Sequence, residues 1–356
     1  MNQYFPEVKK NFGFGCMRLP MVEGEVDREE MCRMVDAFLA AGFNYFDTAH
    51  GYLDGKSEKA LKECLTSRYP REAYVLTNKL SGNFFQTEAD IRPLLQAQLD
   101  ACGVEYFDFY LMHGLGERNY SHYKQCRAFE TALELKAEGK IRHLGISFHD
   151  TAQMLDRILT EYPQIEAVQL QFNYADYEDP KVQSRACYEV CRAHGKPVIV
   201  MEPVKGGNLV NLPEAGAKIL ADLNGGSAAS YAIRFAAGFE GIAMVLSGMG
   251  NMDMMRDNIG YMADFKPLDQ RERSAVAKVC AIFNGQGLIP CTACHYCTER
   301  CPQGIPIPDL LAAANAEKIW GAQSAGADFE CLKCGLCEDA CPQHLPIRDL
   351  LEGLKK

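Results

Sequence analysis

The stretches CTACHYCTERCP (residues 291–302) and CLKCGLCEDACP (residues 331–342) follow one pattern. Four cysteines are spaced by two, two and three residues, and a proline follows the fourth. We call these stretches the first and the second cysteine motif. A [4Fe–4S] cube needs thiolates from several directions, and three cysteines at two-residue gaps let a short loop curl around three irons. The doubled spacing therefore predicts two clusters, each completed by a cysteine from outside its own loop.

The fourth ligand of each cluster is predicted to come from the other motif, because the last cysteine of such a run binds the partner cluster in two-cluster ferredoxins. The first cluster site then consists of Cys291, Cys294, Cys297 and Cys341. The second cluster site consists of Cys331, Cys334, Cys337 and Cys301. Each motif continues through an x-Pro turn into the start of a helix, which favours an α-helical ferredoxin-like unit.

Two other uses of cysteine explain the pattern less well. Disulfides need an oxidising compartment, and residues 1–6 contain no apolar stretch of signal-peptide length. Zinc sites usually show two pairs of Cys or His ligands across a longer gap, which leaves the third closely spaced cysteine unexplained. The eight cysteines outside the motifs fall mostly in apolar or helical patterns, and we expect them to be small buried residues.

The charge balance limits the partners of this chain. Its 356 residues include 47 acidic and 37 basic side chains, a formal net charge of −10. A nucleic-acid-binding surface needs clustered Lys and Arg, so this balance argues against nucleic acid. No stretch approaches the roughly 18 uninterrupted apolar residues of a membrane span. We expect a cytoplasmic protein whose hydrophobic content of 47% suffices for a sizeable core.

Short apolar runs alternate with amphipathic segments along most of the chain before the cysteine motifs. The predicted strands are residues 12–17, 45–48, 73–79, 107–113, 143–148, 167–173, 197–202 and 242–248. The predicted helices are residues 28–41, 57–68, 88–101, 124–138, 151–159, 181–194, 228–237 and 252–262. Apolar strands linked by helices pair in parallel with both faces covered. Eight such units predict a TIM (β/α)8 barrel.

An open doubly wound sheet is the alternative architecture. Its fingerprint is a Gly-x-Gly-x-x-Gly turn that opens the first helix. Gly13 and Gly15 have the right gap, but the third glycine and the immediate helix are missing. We therefore predict a barrel over residues 1–267, a connecting helix and hinge over 268–287, and the helical iron–sulfur domain over 288–356.

Four polar residues lie near the ends of successive predicted strands. Asp47 follows the second strand and Tyr52 lies five residues further on, while Lys79 ends the third strand and His113 the fourth. Barrel active sites lie at this C-terminal rim. Charged residues that close apolar strands are costly unless paired, so we expect Asp47 and Lys79 to meet. A lysine beside Tyr52 is expected to lower its pKa and make the hydroxyl a usable general acid toward a carbonyl oxygen.

Each of these residues alone has an ordinary structural explanation: Asp47 as a cap, Lys79 in a rim ion pair and His113 as a core histidine. Together they are more specific. Over essentially the whole barrel the chain resembles the aldo-keto reductase family, in the stretches FDTAHGY (46–52), TNK (77–79) and LMH (111–113). The resemblance implies that Tyr52 donates a proton, Lys79 adjusts its pKa, Asp47 holds the lysine and His113 orients the substrate carbonyl.

The resemblance also implies a nicotinamide cofactor, NAD(P)H, at the later strand ends. The implied contacts are Ser147, Gln169, Met201, Glu202, Ser247, Gly248, Asp257 and Asn258. Ser147 and Gln169 suit the carboxamide, whereas Met201 stands where many relatives stack an aromatic ring and offers a less orienting platform. Residues 247–255 contain no basic side chain for the 2′-phosphate of NADPH. NADH and a flavin therefore stay open as alternatives.

The chain resembles the subset of this family that has a C-terminal two-cluster module. Hydride transfer moves two electrons, whereas each cluster passes one. Three explanations for the presence of the clusters are open: a flavin mediates between them and the nicotinamide, the clusters serve an external one-electron donor or acceptor protein, or they have a structural role. The sequence predicts an oxidoreductase that interconverts a carbonyl and an alcohol on a small substrate, with clusters for electron transfer. The alternative is a redox-sensing or electron-relay protein whose barrel binds a nucleotide or flavin with little turnover.

Overall fold

The computed structural model describes residues 3–320 and 329–354. Eight parallel strands form a closed barrel in which each strand pairs with its chain neighbours. The strands are β1 Phe12–Gly15, β2 Tyr45–Asp47, β3 Val75–Ser81, β4 Phe107–Leu115, β5 Ile141–Phe148, β6 Ala167–Gln171, β7 Val198–Met201 and β8 Ile242–Ser247. Strand β1 pairs with both β2 and β8 and so closes the cylinder. The predicted barrel is confirmed.

Helices follow the strands and cover the outside of the barrel. They are α1 Arg28–Ala40, α2 Lys56–Leu61, α3 Glu88–Cys102, α4 Glu117–Gln125, α5 Ala128–Ala137, α6 Ala152–Glu161, α7 Ser184–Ala193, α8 Glu214–Ala221, α9 Ala228–Ala237, α10 Met252–Met262 and α11 Gln270–Gly285. Side-chain oxygens of Asp27, Thr151, Ser227 and Asn251 accept hydrogen bonds from backbone amides at four helix N-termini. Such caps satisfy amides that have no partner within the helix.

Three local features differ from the prediction. The helix expected over residues 124–138 is two helices, α4 and α5, because Arg127 between them has a left-handed backbone with φ 50°. Helix α8 and a short hairpin, Met21–Val22 with Glu25–Val26, are not predicted. The hairpin strands are too short to show a periodic pattern. Helix α11 runs from Gln270 to Gly285, so most of the predicted connecting segment over residues 268–287 is helical.

The N-terminal end of the barrel is closed by apolar packing. Tyr45 and Val75 begin β2 and β3, and they share a buried cluster with Phe5 and Phe109. The rings of Phe5 and Phe109 meet edge-on at 4.8 Å. Burial of each such side chain contributes roughly 1.5–3 kcal/mol. The interior is therefore a packed core, and the opposite rim is the end available for chemistry.

The cysteine motifs lie in a small helical module with two similar halves. Its helices are α12 Tyr296–Glu299, α13 Ile307–Trp320, α14 Leu336–Asp339 and α15 Ile347–Glu352. His295 and Gly335, one in each motif, both have left-handed backbones, with φ 65° and 83°. The described part of the module contains no strand, so the helical prediction is confirmed. None of the described helices combines the length and apolar character that a membrane crossing requires.

Candidate active site and cluster sites

A buried ion pair between Asp47 and Lys79 lies at the C-terminal rim. Lys79 Nζ donates to Asp47 Oδ1 at 2.5 Å and to the Thr48 carbonyl at 2.8 Å. The lysine side chain is fully buried and that of Asp47 is 5% exposed. Gln169 Nε2 donates to the other carboxylate oxygen, Oδ2, at 3.1 Å. Because removal of one partner would leave an uncompensated buried charge, each residue fixes the other.

Tyr52 and His113 complete the arrangement. The Tyr52 hydroxyl lies 3.1 Å from Lys79 Nζ. The ring of His113 stands edge-on to the ring of Tyr52, with 5.9 Å between centroids. Ser81 Oγ lies 2.6 Å from His113 Nδ1 and holds this ring. The structure thus brings together all four residues that the sequence selects from strand ends. We call Asp47, Lys79, Tyr52 and His113 the tetrad.

Burial sets the protonation of the tetrad. It raises the pKa of Tyr52 above the ordinary value, and the charge of Asp47 adds to the increase. Burial also lowers the pKa of Lys79 and of His113, because each loses the water that stabilises its charged form. The direction for Tyr52 is opposite to the lowering expected from the sequence, because burial and then the charge of Asp47 raise its pKa. Tyr52 is accordingly a protonated phenol and His113 a neutral imidazole at neutral pH.

Two of the residues implied for a nicotinamide lie side by side next to the tetrad. Ser147 on β5 pairs with Gln169 on β6, and both side chains are buried. Ser147 Oγ has no hydrogen-bond partner among the described residues. An unsatisfied buried hydroxyl costs about 1–3 kcal/mol. This part of the rim therefore fits a ligand that brings a polar group, such as a carboxamide.

The implied contacts after β8 are mostly engaged with other protein groups. Ser247 Oγ accepts a hydrogen bond from Asn258 Nδ2 at 2.9 Å. Asp257 accepts one from a serine hydroxyl at the start of α9, at 2.6 Å. Gly248 lies against Arg18, whose Cβ would be 3.5 Å from a Cβ added to the glycine. These residues support the rim without forming one open polar surface.

Glu202, which follows β7 and Met201, connects the implied cofactor region to the first cysteine motif. It has a left-handed backbone, with φ 57°. Its Oε2 is buried without a partner among the described residues, and its Oε1 lies 3.9 Å from the guanidinium of Arg18. Arg18 in turn donates to the Thr292 carbonyl at 2.6 Å. A chain of contacts thus runs from the barrel rim to the cluster module.

Each predicted set of four cysteines lines one cavity. The cavity of the first cluster site is lined by Cys291, Cys294, Cys297 and Cys341. The cavity of the second is lined by Cys331, Cys334, Cys337 and Cys301. The last cysteine of each motif is therefore exchanged between the halves. Four thiols around one cavity are the donor set of a [4Fe–4S] cube, so the residues fit the group.

A buried polar network attaches the module to the barrel. Gln343, two residues after Cys341, exchanges two amide hydrogen bonds with Gln171 at the end of β6, at 2.9 and 3.1 Å. Lys205 Nζ lies 3.2 Å from Gln343 Oε1 and forms an ion pair with Asp176. Gln343, Gln171, Lys205 and Asp176 are each less than 5% exposed. Polar groups buried so deeply are costly unless paired, so this network fixes the orientation of the module.

The backbone of the first cysteine motif rests on the loop after β7. Asn208 Nδ2 donates to the Cys291 carbonyl at 2.9 Å. Gly206, with φ 65°, approaches Thr292 so closely that an added Cβ would lie 2.5 Å from the Thr292 carbonyl oxygen. Only glycine accommodates both the backbone conformation and the approach. The motif is therefore an integral part of the barrel rim.

Tyr296, between two ligands of the first cluster site, extends into the tetrad. Its side chain interacts with that of Tyr52. Its ring stands edge-on to His113, with 6.4 Å between centroids. Its backbone amide donates to the sulfur of Cys294. One residue thus contacts both a predicted cluster ligand and the tetrad.

Tyr296, Arg18 and Gln343 are not among the site residues predicted from the sequence. For Tyr296 a signal exists in the repeat, because Leu336 occupies the corresponding position of the second motif. For Gln343 the repeat gives no signal, since Gln303 corresponds to it and is exposed. Arg18 shows nothing in the sequence that separates it from a surface arginine. These contacts depend on how the module lies on the barrel.

A closed (β/α)8 barrel with a buried Asp-Lys-Tyr-His tetrad, joined to two four-cysteine sites, defines an oxidoreductase with an iron–sulfur module. The model of the aldo/keto reductase family matches residues 11–281, and that of the 4Fe-4S dicluster domain matches residues 290–345. The chain belongs to the aldo/keto reductase family and carries a 4Fe-4S dicluster domain. The predicted boundaries at residues 267 and 288 stay predictions.

Two curated relatives illustrate the similarity. The NADH-specific methylglyoxal reductase of Escherichia coli (strain K12) is 27% identical over 218 residues, which are 53% of this chain and 61% of that enzyme. The uncharacterized oxidoreductase YqkF of Bacillus subtilis (strain 168) is 24% identical over 297 residues, 74% of this chain and 90% of that protein. This chain thus spans less than two thirds of the first relative and most of the second.

Solved structures share the barrel. The holo form of aldo-keto reductase AKR11C1 from Bacillus halodurans has a TM-score of 0.61 at 26% identity, and the match covers 76% of this chain and 91% of that one. An aldo-keto reductase from Klebsiella pneumoniae in complex with NADPH has a TM-score of 0.62 at 20% identity, covering 76% and 90%. At that identity the second likeness supports the fold alone.

Proposed function

We propose that the protein interconverts a small carbonyl compound and its alcohol, with Tyr52 as the proton donor in the direction of reduction. The Tyr52 hydroxyl, 3.1 Å from Lys79 Nζ within a buried tetrad, is the observation that carries the proposal. Burial raises the pKa of Tyr52 and keeps the proton on the phenol. A bound nicotinamide would supply the hydride. Tyr52 would then give its proton to the carbonyl oxygen.

The other members of the tetrad have supporting roles in this proposal. Lys79 stabilises the negative charge that develops on the Tyr52 oxygen as the proton leaves. Asp47 holds Lys79 through the 2.5 Å bond to its Nζ. His113, a neutral imidazole fixed by Ser81, orients the carbonyl oxygen. A positioned general acid typically contributes about 10²–10⁴-fold to the rate.

Replacement of Tyr52 by phenylalanine tests the acid role. Tyr52→Phe is expected to lower kcat for aldehyde reduction by about 10²–10⁴-fold while binding of the nicotinamide is unchanged. Tyr188→Phe is the matched control, because its hydroxyl donates to the Glu240 carbonyl on the outside of the barrel. The steady-state rates are measured on anaerobically purified protein. A Tyr52→Phe protein that keeps most of its rate would contradict the proposal.

NADH is the cofactor that we propose for the hydride. Ser147 offers an unsatisfied hydroxyl for a carboxamide. Arg256 is the first basic residue after β8, and its exposed guanidinium lies 3.5 Å from Asp253. A 2′-phosphate would meet that carboxylate together with the arginine. The E. coli relative is described as NADH-specific, which agrees with this choice.

Cofactor preference is measured as the ratio of kcat/KM for NADH to that for NADPH. We expect a ratio above about ten, which corresponds to about 1.4 kcal/mol. The Asp253→Ala variant frees Arg256 and is expected to lower the ratio severalfold without affecting NADH. The same preparation is analysed for a bound flavin. A flavin that co-purifies in stoichiometric amount would replace NADH in the proposal.

A second role, electron transfer through two clusters, is favoured by the different exposure of the cysteine sites. The first cluster site adjoins the tetrad through Tyr296, whereas Cys334 of the second is exposed. We propose that a one-electron partner protein meets the second site and that electrons pass between it and the first. With reduced viologen as the one-electron donor, Cys334→Ser is expected to abolish most oxidation of the dye by the protein, in which the electron passes to the second site, while aldehyde reduction continues. Equal dye rates in the variant and the parent would leave the clusters with a structural role.

A further inference from the structure

The two cysteine motifs differ at one position in a way that their own fold does not require. Tyr296 begins α12 in the first motif, and Leu336 begins α14 at the same position of the second. The preceding residues, His295 and Gly335, have the same left-handed turn. Leucine therefore supports the local structure as well as tyrosine does. The role of the aromatic ring of Tyr296 therefore lies outside the cysteine loop.

The Tyr296 side chain lies at the barrel rim, next to the tetrad. It interacts with the side chain of Tyr52, and its ring stands edge-on to the ring of His113, with 6.4 Å between centroids. Tyr52 and His113 are the two groups between which the proposed function puts the carbonyl oxygen. The Tyr296 ring is thus a wall of that site, contributed by the cluster module. The backbone of its loop is fixed through Thr292, which Arg18 and Gly206 hold on the rim.

We propose that Tyr296 selects the substrate of the carbonyl site by restricting it to small, unbranched aldehydes. The inference rests on the proposed function of Tyr52. A bulky group next to the carbonyl would share the space of the Tyr296 ring, and the loop that carries the ring is held on the rim at Cys291 and Thr292. A short, unbranched aldehyde needs only the space near the hydroxyl groups of Tyr52 and Tyr296. Size selection would thus come from the module and not from the barrel loops.

The Tyr296→Leu variant tests this proposal, because it gives the first motif the residue that the second already has. Propanal and 3-phenylpropanal serve as the small and the bulky probe. We expect the ratio of kcat/KM for 3-phenylpropanal to that for propanal to rise roughly ten- to hundredfold, the range that a hydrophobic pocket can discriminate. Tyr296→Phe keeps the ring and is expected to keep the parent ratio within about threefold.

Leu336→Tyr is the matched control and is expected to leave the ratio unchanged. Iron content and the visible absorption of each variant are compared with those of the parent, so that a disturbed cluster is detected. A Tyr296→Leu protein with normal iron and the parent ratio would overturn the proposal. The proposal would also be overturned if Tyr296→Phe had the same kcat/KM ratio as Tyr296→Leu, because the aromatic ring would then not be what limits substrate size.

Binding without turnover gives a second measurement. Saturation-transfer NMR of the two aldehydes, without reductant, reports their affinities for the anaerobic holoprotein. Tyr296→Leu is expected to strengthen binding of 3-phenylpropanal by tenfold or more relative to propanal, about 1.4 kcal/mol. An unchanged affinity ratio would refute the proposal even where turnover is absent. If the proposed acid role of Tyr52 is wrong, the Tyr52→Phe protein stays active. Failure of that role can therefore be distinguished from failure of size selection by Tyr296.

Discussion

The two cysteine motifs have nearly the same sequence pattern and the same local turns, but opposite surroundings. In the first motif Thr292 is 2% exposed and Tyr296 extends into the tetrad. In the second motif Leu332 is 55% exposed and Cys334 is exposed as well. The difference comes from what the start of each copy faces: Thr292 and Tyr296 lie on the barrel rim and Leu332 and Cys334 face solvent, while the end of the second motif contacts Arg118 of α4. A duplicated cysteine pattern can therefore give two predicted cluster sites with different surroundings.

The largest difference in stability is expected between replacement of Lys79, a buried cation of the barrel rim, and replacement of Lys333, an exposed cation in the second motif. Lys79→Met would leave the Asp47 carboxylate buried without its cation, with only the Gln169 amide still donating to it, which destabilises the barrel by about 3–5 kcal/mol. Lys333→Met removes an exposed pair with Glu352, 2.9 Å apart, and is expected to leave stability almost unchanged. Denaturant unfolding of the anaerobic holoprotein measures both. Similar values for the two variants would show that the rim is open to water.

The next largest difference in stability is expected between the two glutamines at corresponding positions of the repeat, Gln343 and Gln303. Gln343→Ala breaks the buried bonds with Gln171 and is expected to destabilise docking of the module by about 1–3 kcal/mol. Gln303→Ala, at the exposed corresponding position, is expected to stay within about 0.5 kcal/mol. Limited proteolysis of the junction before residue 291, together with denaturant unfolding, reports the change. Equal effects would contradict the asymmetry between the motifs.

Thiol chemistry should distinguish the sites less strongly. After brief exposure of the anaerobic protein to air, we expect Cys334 to be oxidised or alkylated severalfold faster than Cys297, because oxidation follows exposure. Mass spectrometry of iodoacetamide-labelled peptides gives the two rates. Replacement of Leu332 by alanine is expected to increase the Cys334 rate only. Faster modification of Cys297 would mean that the first motif leaves the rim.

The smallest effect concerns the pH dependence of aldehyde reduction. Because burial raises the pKa of Tyr52, the phenol stays protonated as the pH rises, and the rate is expected to be level up to about pH 10. A decline that begins well below pH 10 would instead indicate that Tyr52 or Lys79, whose pKa burial lowers, loses its proton there. The profile of kcat is measured in Tyr296→Leu as well. An earlier decline in that variant would show how far the module contributes to the burial.

Much of the fold and the tetrad could be predicted, because both depend on local patterns. The eight strand ranges follow from apolar runs, and Asp47, Lys79 and His113 follow from their places at strand ends. Parallel strands bring such ends to one rim whatever the loops do. Helices α4 and α5 were harder to separate, since the left-handed Arg127 between them has no glycine to mark it. The direction of the Tyr52 pKa depends on burial, which a strand-end pattern does not report.

The sequence by itself determined the barrel, the tetrad and the exchange of the last cysteine between two ligand sets, because periodicity and spacing act over short stretches of chain. The tertiary structure alone decided that the first motif lies against the rim, that Gln343 is buried while Gln303 is exposed, and that Tyr296 meets Tyr52. These contacts join residues that are 83 or more positions apart. They arise from the packing of two folded surfaces, which leaves no local pattern in either one.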